Sequence, residues 1–89
     1  MMFSIGYEAS VDEEKVLGIM PSNSSWAKRK IKRAEGEGTL FLATSGHKAR
    51  SIVVTAEEKV VVVWVSSLQS NTLAARFNKA KRAYRPEED

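Results

Sequence analysis

The sequence predicts one small α+β domain, a mixed and mainly antiparallel sheet of about four to five strands with two helices. Three features lead there. The chain has 89 residues, enough for one hydrophobic core and too few for two. Hydrophobic residues make up 43% and charged residues 28%, which places it among folding chains and outside the polar, highly charged compositions that stay disordered. Short runs rich in Val, Ile, Leu and Thr also alternate with two segments whose apolar residues recur at helical spacing.

In chain order, Phe3 to Tyr7 reads as a short strand and Lys15 to Met20 as a second one, ended by Pro21. The run Pro-Ser-Asn-Ser-Ser at 21–25 supplies turn formers and a helix cap. Helix one follows from Trp26 to Glu35, with Ala27, Ile31 and Ala34 on one face, and stops at Gly36 and Gly38. Leu40 to Thr44, Ser51 to Thr55 and Lys59 to Val65 read as three strands, with turns at Ser45-Gly46 and Ala56 to Glu58, and are expected to pair antiparallel. Val60 to Val65 is continuously apolar, the pattern of a central strand covered on both faces. One cover is helix two, from Ser70 to Tyr84, through Leu73, Phe77, Ala80 and Tyr84. The other is expected to be a contact between copies of the chain. Residues 1–85 form a single domain, and 86–89 is an acidic tail expected to fray.

Several function classes are disfavoured. Without cysteine there are no disulfides, thiolate nucleophiles or cysteine-based metal sites, so self-association is the expected source of extra stability. No basic segment followed by an apolar run opens the chain, which points to a cytoplasmic location. The longest apolar run is Val60 to Val65, against about 20 residues for a membrane-spanning helix, so no membrane association is expected. His47 has no second histidine or cysteine with which to share a metal. The acids at Asp12 to Glu14 and Glu57-Glu58 fall in expected exposed turns, where carboxylates lack the burial of a general acid. The Glu-Gly-Glu-Gly run follows a helix instead of opening one, which argues against a nucleotide loop. The expectation is a protein that is not an enzyme, with no catalytic residues, metal, cofactor or small-molecule substrate.

Net charge is +3, and its distribution says more than the sum. Residues 24–50 carry seven bases and two acids, and residues 66–85 carry five bases and no acid. Nearly neutral sequence separates these two blocks, a pattern that suits a polyanion partner.

In the first block, Lys28, Arg29, Lys32 and Arg33 lie opposite the apolar face of helix one, with Lys30 on the flank. The like-charge pairs Lys28/Lys32 and Arg29/Arg33 each cost an isolated helix about 0.2–0.5 kcal/mol, which a bound polyanion would offset. A solvated basic face that serves solubility is the plain alternative. The segment Ser45-Gly46-His47-Lys48-Ala49-Arg50-Ser51 is expected to present Lys48, Arg50 and His47 on a hairpin-like turn within reach of phosphates or base edges. Helix two adds Arg76, Lys79 and Arg82 on one flank, or these side chains cover the rim of the core. Trp26, Trp64, Phe77 and Tyr84 fall at expected core positions, which offers no base-stacking platform for RNA.

The stretch from Ser24 to Arg76 resembles the Rem-type bacterial regulators of extracellular-matrix genes, RemA and RemB. The resemblance is carried by Ser24, Lys28-Arg29, Ile31 and Ala34, then Gly38, Leu40, Ala43-Thr44 and Gly46, then Arg50-Ser51-Ile52-Val53-Val54, and finally Gln69 and Thr72-Leu73-Ala74 with Arg76. Ile5-Gly6-Tyr7 and Val16-Leu17-Gly18-Ile19 are similar in position, so residues 4–76 are covered. The resemblance implies a ring-like homo-oligomer that binds duplex DNA through basic residues and activates matrix (biofilm) operons without enzymatic activity. In the RemA branch the loop glycine is followed by two arginines, a small residue and a further arginine, and that loop contacts DNA. Here the positions read Gly46-His47-Lys48-Ala49-Arg50, so His47 stands in place of an arginine. Ser66 to Leu73 is more similar to the RemB branch.

The expected DNA contacts are Lys48, Arg50, His47, Lys28, Arg29, Lys32 and Arg76. The alternatives are an oligomeric RemB-like interaction module without direct DNA binding, its basic faces meeting the acidic amino-terminal segment of a neighbour, or an RNA-binding protein.

Overall fold

The computed structural model describes residues 1–83; Tyr84 and the 86–89 tail lie outside the described residues. Strands β1 (Met2–Gly6) and β2 (Ala9–Asp12) form an antiparallel pair, and one 3-10 turn at Glu13–Lys15 leads into β3 (Val16–Pro21). Then come α1 (Ser25–Glu37), β4 (Leu40–Ala43), β5 (Ser51–Glu57), β6 (Val60–Ser66) and α2 (Ser70–Ala83). The second sheet has the order β3-β5-β6-β4. The α+β class and the two helices match the sequence. The strands fall into two sheets because Ala9–Asp12, not read as a strand from the sequence, pairs back on β1. It buries a single apolar residue, Val11, and its turn places Tyr7 and Glu8 at φ 38° and 67° with no Asn or Gly at those two positions to announce it.

Two expectations about pairing need correction. Strand β4 runs parallel to β6, with Leu40 opposite Val63 and Ala43 opposite Ser66. Helix α1 carries the chain from the end of β3 back along the sheet, and such a crossover starts the next strand in the same direction as the one before it. Strands β5 and β6, an antiparallel hairpin, fill the space between β3 and β4. The 44–50 loop is therefore not a hairpin turn: β6 lies between the strands it joins, and the loop passes over the end of β6.

Helix α1 is longer than expected at both ends. Ser24 caps it, its hydroxyl accepting from the Ala27 amide at 3.1 Å. Gly36 does not stop the helix; it sits on the exposed side, where glycine costs about 1 kcal/mol relative to alanine. Gly38 does, in the left-handed region at φ 75°, its amide reaching back toward the carbonyls of Ala34 and Glu35.

The sheet is covered on both faces by this chain alone. On one face Ala27 and Ala34 of α1 are buried against Ile52, Val54, Val63 and Val65, with Ile31, Leu40 and Met20 at the margin. On the other, Leu73 and Ala80 of α2 join Phe3, Ile5 and Val11 over Val53 and Ala43, with Trp64 and Phe77 half-buried beside them. The expected contact between copies on the second face of β6 is thus replaced by α1. Val62, Val63 and Val65 are buried as predicted, whereas Val60 and Val61, at the start of the strand, stay exposed beside an open groove along α1. Trp26, expected in the core, is 45% exposed with the Lys30 ammonium 4.9 Å from its ring. It precedes the inward-facing Ala27 by one residue, about 100° around the helix, which takes it off the core face.

Candidate nucleic-acid interface

The end of the sheet where β3 and β6 finish and β5 begins is crowded with chain crossings, and buried hydroxyls hold it together. Ser51 and Ser66, opposite each other in the β5–β6 ladder, have no exposed surface. The Ser51 hydroxyl donates to the Leu68 carbonyl at 2.7 Å, and the Ser66 hydroxyl donates to the Ile5 carbonyl at 2.6 Å while accepting from the Leu68 amide. These bonds satisfy backbone groups that a strand end would otherwise leave without partners.

The 44–50 loop sits on this platform. It begins with a turn in which the His47 amide donates to the Thr44 carbonyl at 2.9 Å, with Ser45 and Gly46 at φ 49° and 81°. It ends against the approach to α1: the Ser22 hydroxyl donates to the Ala49 carbonyl, the Ser22 amide to the Arg50 carbonyl, and the Arg50 amide to the Ser66 carbonyl. The backbone is thereby tied at both ends, and the side chains of His47, Lys48 and Arg50 are exposed. The His47 ring stacks on Tyr7 from the β1–β2 turn, centroids 5.1 Å apart and planes 11° from parallel.

Lys48 and Arg50 line a shallow groove of about 520 Å³ with Ser22 and Asn23 on one side and Ser70 and Asn71 on the other. Those flanks are the approach to α1 and the first turn of α2. Neither helix has an acidic residue in its first turn. The first turn of α2 therefore lines the groove without a carboxylate to neutralise its positive dipole end, and the groove's other flank leads into the equally acid-free start of α1, an arrangement that favours anions. Among the described residues, Lys48 and Arg50 have no ion-pair partner, and neither have Lys28, Arg29 and Lys32 on the exposed side of α1. Arg33 differs, since its Nε donates to Glu37 at 3.2 Å.

The candidate residues do not all gather here. His47, Lys48 and Arg50 share the loop, and Ser22 ties that loop to the segment from which α1 starts. Lys28 and Arg29 lie in the adjoining first turns, and Lys32 one turn further along. Arg76 is on α2, which packs on the opposite face of the sheet, and its guanidinium donates to the Ser4 carbonyl at 3.1 Å, fastening β1. Tyr7, Ser22, Asn23, Ser70 and Asn71 were not read as part of a site from the sequence. The cluster of cap-forming residues before each helix was the available signal, since such residues mark where helix amides are open.

Among the described residues, no helix is long and apolar enough to cross a membrane, and no three metal-capable side chains converge. Residues 2–77 match the family model described as extracellular matrix regulatory protein A-like. A Thermodesulfovibrio yellowstonii protein named as a regulatory protein is 32% identical over 82 residues, spanning 92% of this chain and 93% of the relative. A Thermotoga maritima protein named likewise is 36% identical over 76 residues, 85% of this chain and 79% of the relative. A third from Microcystis aeruginosa is 33% identical over 82 residues, covering 92% and 89%. With a match that spans the two sheets, α1, the basic loop and the first half of α2, the chain belongs to the RemA-like family of extracellular matrix regulatory proteins.

Proposed function

We propose that the chain is a non-enzymatic, cytoplasmic DNA-binding regulator of transcription, an activator of extracellular-matrix and biofilm genes, working as a ring-like homo-oligomer. The observation that carries this reading is the anchored loop, which holds Lys48 and Arg50, free of ion pairs among the described residues, in a groove with the acid-free first turn of α2 and the segment that leads into α1. Phosphates fit such a surface, and Lys28, Arg29 and Lys32 extend it along α1. A few exposed cations bind weakly on their own. Repetition of the same surface around an assembly raises the effective concentration of each further contact and so the avidity for a long polyanion.

The test is a gel-shift titration of duplex DNA at several salt concentrations beside size-exclusion chromatography with light scattering. The expected result is binding whose affinity falls steeply with salt, by a preparation heavier than one chain. Strong assembly without DNA binding at low salt would favour the interaction module, in which the same cations meet protein carboxylates.

A further inference from the structure

The β1–β2 turn is strained, and the strain places an aromatic ring. Gly6 pairs with Ala9, so the two strands are joined by Tyr7 and Glu8 alone. A two-residue turn that follows the twist of a hairpin takes residues in the left-handed region, where asparagine and glycine are usual. Tyr7 and Glu8 occupy that region at φ 38° and 67° with larger side chains. Such a conformation persists only where the surroundings enforce it, and it gathers at functional positions. Here the enforcement is visible: the buried Ser66 hydroxyl holds the Ile5 carbonyl, and Gly6, at φ 116°, packs beside the Ala43 carbonyl and the Leu68 side chain. The hairpin tip is thus fixed where the 44–50 loop leaves β4. Tyr7, itself 51% exposed, lies flat on the His47 ring at 5.1 Å.

We propose that Tyr7 is a positioning residue for the basic loop: its ring fixes the His47 imidazole, so that on acidification the imidazolium stands in a set place as a third cation beside Lys48 and Arg50. This rests on the DNA-binding reading above. The stack suits the charged form, because the face of an aromatic ring carries partial negative charge and attracts a cation. The charged groups around the imidazole are few. Its own loop offers Lys48 and Arg50, and the β1–β2 turn offers Tyr7 and Glu8. The approach to α1, at Ser22 and Asn23, and the start of α2, at Ser70 and Asn71, are uncharged. His47 is also the chain's one histidine, so a change in DNA binding between about pH 8 and about pH 5 traces to a single imidazole.

The single histidine makes the test direct. In the untagged chain without DNA, its ring protons give the only imidazole signals in a proton NMR spectrum, and the Tyr7 ring current is expected to shift them upfield. The shift should vanish in Tyr7→Ala and be kept in Tyr7→Phe. DNA affinity is then read by fluorescence anisotropy at about pH 8 and about pH 5, at several salt concentrations. For the unaltered chain and Tyr7→Phe, acidification is expected to steepen the plot of log K against log salt by about 0.9 per added phosphate contact. In Tyr7→Ala that increment should shrink. In a His47→Ala background, Tyr7→Ala should have no further effect, because the two residues act as one unit. An unshifted imidazole signal in the unaltered chain would overturn the proposal. So would equal pH increments in Tyr7→Ala and the unaltered chain, or additive effects of the two substitutions. A shifted signal with no DNA binding at either pH would instead overturn the DNA-binding reading, and the third cation with it.

Discussion

The hydroxyl of Ser66 donates to the carbonyl of Ile5 at 2.6 Å, joining β6 to β1 across 61 positions of sequence, and both residues are without exposed surface. The same oxygen accepts from the Leu68 amide, so one side chain holds the smaller sheet, the end of the larger one and the path toward α2. Replacement by alanine leaves the Ile5 carbonyl and the Leu68 amide without this partner. Ser66→Ala is expected to lose about 1–3 kcal/mol of unfolding free energy, read from urea denaturation, because unsatisfied buried groups keep their full desolvation cost.

The loop cations are expected to act on binding and not on folding. In Lys48→Ala/Arg50→Ala, DNA affinity should fall at every sequence, and the plot of log K against log salt should flatten by about 0.9 per lost phosphate contact. Unfolding free energy should change by no more than about 0.5 kcal/mol per exposed site. If affinity and slope both stay at wild-type values, Lys28 and Arg29 become the contacts to test.

His47→Arg is expected to tighten DNA binding and steepen the salt slope, since it adds a permanent charge to a loop that contains no acid of its own. Tyr7 supplies the reason the loop should tolerate the change: a planar guanidinium can take over the stacked position of the imidazole. Fluorescence-anisotropy titration at two salt concentrations reads both effects, and Tyr7→Ala in the same background should reduce the gain.

Acid should weaken the link between β2 and β3. The Glu14 amide, with the Met1 ammonium, holds the Asp12 carboxyl below its ordinary value. A carboxyl with a lowered folded-state pKa contributes stability that is present above its unfolded value and lost as pH falls through the folded one. The stability difference between the unaltered chain and Asp12→Asn is therefore expected to be constant at neutral pH and to shrink as pH falls below about 4, the ordinary aspartate range. Urea midpoints measured from pH 7 to pH 2 check this. Since Asp12 is on the surface, the contribution is small and salt-sensitive.

Some parts of the fold and of the site were legible because local chemistry dominates them. The cap at Ser24, the left-handed stop at Gly38 and the buried stripe through Leu73 and Ala80 follow from residue type and period alone. So does the exposure of Lys28, Arg29, Lys32, Lys48 and Arg50. Strand β2 was missed because a four-residue strand with one buried apolar side chain carries almost no periodic signal, and because Tyr7 and Glu8 enter the left-handed region without the residues that usually mark such a turn. Trp26 was misplaced because a large apolar side chain suggests burial, whereas its angle on the helix takes it past the edge of the core.

What the sequence by itself determined about this protein is one α+β domain, two helices at stated positions, a valine-rich central strand and two basic blocks. Each rests on interactions within a few residues or on composition, which need no knowledge of the partner strand. Only the tertiary structure decided the order β3-β5-β6-β4, the parallel pairing of β4 with β6, the covering of β6 by both helices and the placing of Arg76 apart from the basic loop. These depend on which faces bury each other across the whole chain. A strand that is apolar on both faces must be covered twice, yet its own residues do not say whether the second cover is a helix of the same chain or another copy of it.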